Sequence, residues 1–168
     1  MESGRAKWIC AKHGRLAPEL LLEWLGITAP PVDPRALADA LDIFLADDDL
    51  GRYASVLAMN DRHAGIVVSS TAGPVLQRHA IAHAIGHLVL HEGDEFRDAS
   101  FEGTEPPEVE AEIYAARLLM PADWLKPRLA RGDAIEVLGA AFGVSEAAMA
   151  ARVRAVSPRV VGGEQAEG

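Results

Sequence analysis

The sequence predicts an α+β fold that is mostly helical, with a small β-sheet. Apolar residues at helical spacing recur along the chain, beginning with residues 16–25. Two short β-prone segments, residues 56–59 and 65–69, enclose a turn at residues 60–63 and predict a hairpin. Residues 43–45 form a further candidate strand. These features together indicate helices packed around a short sheet.

Proline and aspartate residues mark where the next helices are expected to begin. Asp33 before Pro34 is typical of an N-cap followed by proline at the first helical position. Pro74 opens a segment without internal proline, which we expect to be helical to Leu90 and to end before Gly93.

The rest of the chain is divided by its loops. The acidic run 47–49 is predicted as a solvated loop rather than a metal site, and residues 96–107 as a loop of polar and small side chains. Residues 109–120 return to helical spacing until Pro121 ends or kinks the helix. Two short helices are predicted within residues 134–156.

Composition and charge narrow the class of protein. The 168 residues are 49% hydrophobic and 24% charged, which fits one globular domain or a domain with a small appendage. A net charge of −9 argues against a surface that binds nucleic-acid phosphates and leaves basic protein partners open. With one cysteine, no apolar run of membrane length and no signal-peptide core, we expect a cytoplasmic protein and no membrane partner.

Two histidines in the long helix are candidate metal ligands. His83 and His87 are four residues apart and therefore lie on one helical face, where neutral imidazoles can reach one zinc ion. Such a pair is coincidental more often than functional, but the apolar flanks indicate burial and a shared partner. His79 and His91 continue the row at the same step. We expect His79 to lie outside the ligand set or in solvent, and His91 to lie near the helix C-terminus.

The third ligand should come from another helix. Glu110 follows His87 by 23 residues and is embedded in an apolar pattern on the next predicted helix. A carboxylate among apolar residues is costly unless it is paired or coordinated. We therefore predict Glu110 as the third ligand, with zinc as the cofactor and manganese or iron as other divalent metals suited to the same donors.

Two stretches resemble the ImmA/IrrE metallopeptidase family. Residues 77–91, which contain His83-Ala84-Ile85-Gly86-His87, are similar to the family's metal-binding helix with its H-E-x-x-H motif. Residues 108–121 are similar to the family's segment E-x-E-A-n-x-F-A-a-x-L-L-M-P, whose middle glutamate, a zinc ligand, falls on Glu110. Weaker similarities at residues 30–34 and 142–149 extend the resemblance over residues 16–156.

The resemblance implies a zincin-like fold with the metal on a central helix. It also implies an endopeptidase that cleaves helix-turn-helix repressors of the Xre type and so induces a phage, mobile-element or stress regulon. We predict an N-terminal extension (1–15), a zincin-like metallopeptidase domain (16–125), a helical, helix-turn-helix-like subdomain (126–156) and a flexible tail rich in Gly and Glu (157–168). His79, His91 and Tyr114 are candidates for contacts outside the ligand set.

The chain departs from the motif at Ala84. The family's glutamate at this position accepts a proton from the attacking water and passes it to the leaving amine, and alanine can do neither. We therefore expect metal binding without efficient hydrolysis. A glutamate deliberately replaced to inactivate the enzyme is the explanation we favour, and a natural pseudoenzyme that binds a repressor or antitoxin without cleaving it is the other.

A third hypothesis is a DNA-binding regulator. Residues 134–156 have a helix, a turn and a second helix, which is compatible with a helix-turn-helix. The second helix offers Arg152 and Arg154 as basic groups, alongside Glu146. With so few cations in an acidic chain, direct nucleic-acid binding is the weakest of the three hypotheses.

Overall fold

The computed structural model describes residues 16–59, 63–91, 97–99 and 105–157. Residues 60–62 of the predicted turn, Gly93, the predicted N-terminal extension and nearly all of the predicted tail lie outside this part. Seven helices and four strands are present among the described residues: α1 (Pro18–Trp24), α2 (Pro34–Ala40), β1 (Ile43–Asp48), β2 (Ser55–Met59), β3 (Ala64–Ser69), α3 (Pro74–Leu90), β4 (Arg97–Ala99), α4 (Pro106–Leu119), α5 (Ala122–Ala130), α6 (Ile135–Phe142) and α7 (Glu146–Val156). The α+β prediction is confirmed.

The four strands form one mixed sheet in the order β1-β3-β2-β4. The predicted hairpin pairs β2 antiparallel to β3, with Val56 opposite Val67. Strand β1 lies parallel to β3 on the other side. Strand β4 pairs antiparallel to β2 within the predicted loop 96–107, so the loop prediction was wrong there.

The acidic run at residues 47–49 was also predicted incompletely. Asp47 and Asp48 belong to β1 instead of a loop. Arg35 lies in the first turn of α2. Its guanidinium donates two hydrogen bonds to the Asp47 carboxylate, at 2.6 and 3.0 Å, and so forms a bidentate ion pair. The hydrogen bond from Arg35 holds the pKa of Asp47 below its usual range, so the carboxylate remains charged at the end of the strand.

Helix α3 is the central element of the fold. It runs from Pro74 to Leu90, as predicted, and contacts α2, α4 and the sheet. Residues 80–89 are all buried, which is why no polar face is visible in this stretch of sequence. The two histidines of the motif are therefore held inside the protein on a helix that neighbours fix from several sides.

The C-terminal helices share the core of the rest of the chain. Leu138, Phe142 and Met149 belong to one hydrophobic cluster with the side chains of α1–α4. Arg78 of α3 donates hydrogen bonds to the carbonyl oxygens of Val32 and Gly143, which tie α6 to α3. The predicted domain boundary after residue 125 falls inside α5, a helix that the sequence analysis missed.

The turn between α6 and α7 follows the sequence signals. Gly143 adopts a left-handed conformation (φ 66°) at the end of α6, which a glycine does without steric penalty. The side chain of Ser145 accepts a hydrogen bond from the backbone N–H of Ala148 and caps α7. The two short helices predicted within residues 134–156 are therefore present, with a turn between them.

No helix within the described ranges combines the length and apolar character needed to cross a membrane. The cytoplasmic location stays a prediction.

Helices α3 and α4 approach each other closely at Gly86. A Cβ atom on Gly86 would lie 3.0 Å from the carbonyl oxygen of Ala111 and 3.2 Å from Cβ of Tyr114. Both distances are shorter than an ordinary van der Waals contact, and the Ala111 atom belongs to a helix backbone that cannot move alone. A side chain larger than that of glycine would therefore press against α4 at this separation of the two helices.

We expect Gly86→Val to lower the free energy of unfolding by about 1–3 kcal/mol, because the added methyl groups must displace the α4 backbone. Intrinsic helix propensity alone would favour valine over glycine by a few tenths of a kcal/mol. Urea denaturation measures the difference. Ala147→Val, at an exposed position of α7, is the control and should change stability by no more than about 0.5 kcal/mol. A Gly86→Val protein as stable as the parent would contradict the close contact.

Candidate metal centre

His83 and His87 lie side by side in the interior. Each residue is 1% exposed, and their Nε2 atoms are 3.0 Å apart. The four-residue spacing on α3 places the rings one turn apart, edge to face, with 4.7 Å between ring centroids and 71° between ring planes. Two nitrogen donors therefore point to one position.

Glu108 supplies the carboxylate nearest to both rings. Its Oε2 lies 3.1 Å from Nε2 of His83, and its Oε1 lies 3.2 Å from Nε2 of His87. Donor atoms that share one tetrahedral zinc ion are about 3.3 Å apart, given bonds of about 2.0 Å. These three side chains, here called the inner trio, could hold a divalent ion without a large rearrangement.

Glu110, the predicted third ligand, does not join this group. Its Oε2 lies 3.2 Å from Nε2 of His91, and its side chain is 44% exposed. The reason is helical phase. Glu108 and Glu112 are one turn apart on the face of α4 that packs on α3, whereas Glu110 is about 200° around the helix from Glu108. The structure therefore places Glu108, and not Glu110, beside His83 and His87.

The resemblance and the register of α4 explain why Glu108 was missed. The sequence analysis began this helix at Val109, but it starts at Pro106, which leaves Glu108 in its first turn. Proline at the first position of a helix was the signal that could have moved the boundary. With the helix extended, Glu108, Glu112 and Ala115 fall on one face.

His79 and Glu112 lie next to the inner trio. Nε2 of His79 is 2.8 Å from Oε2 of Glu112, and the same oxygen is 3.4 Å from Nδ1 of His83. Burial raises the pKa of Glu112, but the neighbouring imidazoles of His79 and His83 outweigh it and bring the pKa to about 2. Glu112 is therefore a carboxylate at neutral pH.

The other two residues named from the sequence also lie close by. His91 caps the C-terminal end of α3, and its Nδ1 is 3.1 Å from Nδ1 of His87. Tyr114 is buried on α4 with its Cβ against Gly86. His91 can orient the ring of His87 from the side opposite to Glu108.

The environment keeps His87 neutral. Burial and the neighbouring His83 lower its pKa to about 4, against the opposing effect of the Glu108 carboxylate. A neutral imidazole has a lone pair available, which is the form that binds a metal. The chemistry of the donor set, two neutral imidazoles and one carboxylate, fits zinc, and it is the set found in many catalytic zinc sites.

Position 84 carries no functional group. Ala84 is fully buried in the core, next to His83 on α3. No carboxylate is present at the position following the first histidine, so the inner trio lacks the acid–base group that the motif places there.

A comparison with protein families matches residues 38–154 to the IrrE N-terminal-like domain, a family of M78 peptidases. The match covers well over half of the chain and includes the histidine helix, α4 and the C-terminal helices. The chain belongs to the ImmA/IrrE metallopeptidase family. A comparison with curated proteins finds no match. The fold is zincin-like, and all three residues of the inner trio lie within the matched residues.

Exchanging single carboxylates distinguishes Glu108 from Glu110. Loss of a side chain that only orients a metal ligand weakens metal binding roughly 10–100-fold. We expect Glu108→Gln to weaken zinc binding by more than this, because it removes a charged ligand. Glu110→Gln removes the same charge two residues away and should leave the affinity within a few-fold. Competition with a chromophoric chelator measures both. A larger loss in Glu110→Gln would restore the prediction made from the sequence.

Stability of the metal-free protein should depend on pH through His87. Its pKa falls on folding from 6.5 to about 4, so the unfolded chain binds the proton more tightly. Above about pH 6.5 His87 is neutral in both states, and the free energy of unfolding has its full value. As the pH falls toward 4 the unfolded chain gains the proton first, which lowers the free energy of unfolding by on the order of 3 kcal/mol in all. Below about pH 4.5 the loss of the Glu112 contribution is added. Urea denaturation in chelator at pH 7.0, 5.5 and 4.5 should show the loss, and His87→Leu should flatten it. A parent protein equally stable at all three values would contradict a buried neutral His87.

Proposed function

We propose that this ImmA/IrrE domain binds zinc through His83, His87 and Glu108 and carries the binding half of a peptidase site. The observation that supports it is the convergence of two buried imidazoles and one carboxylate at separations suited to a single ion. Zinc bound there would act as a Lewis acid for a peptide carbonyl and for water. The protein's own part is to keep the imidazoles neutral and the three donors in place.

Hydrolysis by the chain as it stands is proposed to be severely impaired. General acid–base catalysis contributes typically about 10²–10⁴-fold to rate, and Ala84 can neither accept nor return a proton. Glu108 is engaged by both histidines, and Glu112 lies on the Nδ1 side of His83, opposite to the Nε2 atom that faces Glu108. Neither carboxylate is placed to replace the motif's glutamate.

We propose a helix-turn-helix repressor of the Xre type as the protein partner, which the family resemblance supports. Charge is compatible with this partner, because the chain carries a net charge of −9 and DNA-binding proteins present basic surfaces. Cleavage of the repressor by an active form would induce the genes it controls.

The alternative is a natural pseudoenzyme that regulates such a repressor by binding alone. The combination that favours it is a complete donor set with a fully buried alanine at position 84. Direct DNA binding has less support. The side chain of Arg152, one of the two basic groups on the second helix of the possible helix-turn-helix, donates a hydrogen bond to the carbonyl oxygen of Met120 in the protein itself.

Restoring the glutamate tests the proposal. We expect zinc-loaded Ala84→Glu to cleave a member of a panel of purified Xre-type repressors at least about 10²-fold faster than the parent chain, because the missing proton acceptor returns. Mass spectrometry of the products measures the rate and the cleavage site. Ala84→Gln is the matched control, since it adds the same volume without a base, and it should stay inactive. If Ala84→Glu binds zinc and the repressor but cleaves nothing, the pseudoenzyme alternative is favoured and the peptidase proposal fails.

A further inference from the structure

The ring of His83 faces two separate groups of donors. Its Nε2 lies 3.1 Å from Glu108 in the inner trio, whereas its Nδ1 lies 3.4 Å from Oε2 of Glu112. That oxygen is also 2.8 Å from Nε2 of His79. His79, His83 and Glu112, here called the outer trio, thus place three ligand atoms within 4.8 Å of one another.

We propose that the outer trio is a second divalent-cation site that shares His83 with the inner trio. The ligand class is an ion that accepts two imidazoles and a carboxylate, such as Zn²⁺ or Cu²⁺. The inference goes beyond the proposed function, which uses only the Nε2 side of His83. It is carried by the placement of both nitrogens of one buried ring against different carboxylates.

The separation between His83 and Glu112 is compatible with a shared ion. Their Nδ1 and Oε2 atoms are 3.4 Å apart, which is long for a hydrogen bond, since such bonds normally span about 2.7–3.2 Å. Two donors on one tetrahedral zinc ion are about 3.3 Å apart. His79 and Glu112, at 2.8 Å, would need to separate by about 0.5 Å, which these partly exposed side chains can do.

The two sites differ in access from solvent. A groove of about 680 Å³ between the start of α3 and the α6–α7 turn is lined by His79 and Glu112, with Leu76, Val144 and Ala148 among its apolar walls. His83, His87 and Glu108 are not part of its lining. An ion on the outer trio is therefore reached through the groove and can exchange while the inner ion stays buried. Its remaining coordination positions face the groove, where water or an oxygen ligand can fill them.

Binding of two ions would require the His83 ring to lose its N–H proton. When both sites are filled, each nitrogen of His83 gives a lone pair to one ion, so the ring's remaining N–H proton is released to solvent. Glu108 and Glu112 each supply one negative charge, and the bridging imidazolate supplies a third. Three negative charges then face two dications in the interior, which limits the cost of burying them.

Zinc stoichiometry tests the second site. By equilibrium competition with a chromophoric chelator, we expect the parent chain to bind two Zn²⁺ ions. His79→Ala and Glu112→Gln should each retain one ion and weaken the other at least tenfold. His63→Ala, which removes an exposed histidine that belongs to neither trio, is the matched control and should still bind two ions.

The outcomes separate this inference from the proposed function. A parent chain that binds one ion, lost in His87→Ala, leaves the inner trio intact and overturns the second site. Weakening of that single ion in Glu112→Gln would make Glu112 an orienting partner of His83, which also overturns it. Binding of two ions that neither His79→Ala nor Glu112→Gln affects overturns it as well. Failure to bind any ion would overturn the proposed function too.

Copper tests the shared ring directly. With two Cu²⁺ ions bound, an imidazolate bridge couples the electron spins, so the electron paramagnetic resonance signal should be much weaker than that of two isolated ions. His79→Ala should bind one Cu²⁺ and give a full uncoupled signal. Two uncoupled signals from the doubly loaded parent chain would show that His83 does not bridge, and the inference would fail.

Discussion

The close approach of two helices at Gly86 is the constraint on which the metal centre depends. A Cβ atom at this position would lie 3.0 Å from the carbonyl oxygen of Ala111, so a larger side chain would press against the backbone of α4 at this distance. That packing turns Glu108 and Glu112 of α4 toward the histidine row of α3. A wider separation would move the carboxylates out of reach of the rings, and the polar side chains would lose the partners that make their burial tolerable.

Buried polar groups in an otherwise apolar helix need an energetic reason. Residues 80–89, which include His83 and His87, are all buried. Imidazoles in such surroundings lose hydration. Because this disfavours the charged form, the pKa of His87 is lowered. Contact with Glu108 offsets part of the cost, and coordination of a cation would offset more. The same burial that costs stability in the metal-free protein thus prepares neutral donors, so folding and metal binding depend on one group of residues.

The starts of helices could be predicted from the sequence where a residue type has one dominant structural role. Asp33 and Pro34 start α2, and Pro74 starts the central helix, because capping and a fixed φ act locally. The three residues of β4 could not be found this way, since a short edge strand has no periodicity and exists through its pairing with β2. Glu110 stays a prediction as a metal ligand, although Glu108 lies nearer to both rings. Helical spacing puts Glu108 and Glu110 on different faces of α4, but tertiary contacts decide which face packs on α3, and the local sequence does not reveal them.

Anomalous diffraction at the zinc absorption edge from crystals of the zinc-loaded chain tests the central claim most directly. We expect a strong peak about 2.0–2.2 Å from Nε2 of His83, Nε2 of His87 and a carboxylate oxygen of Glu108. A peak bound by Glu110, or the lack of any peak between the two rings, would contradict it.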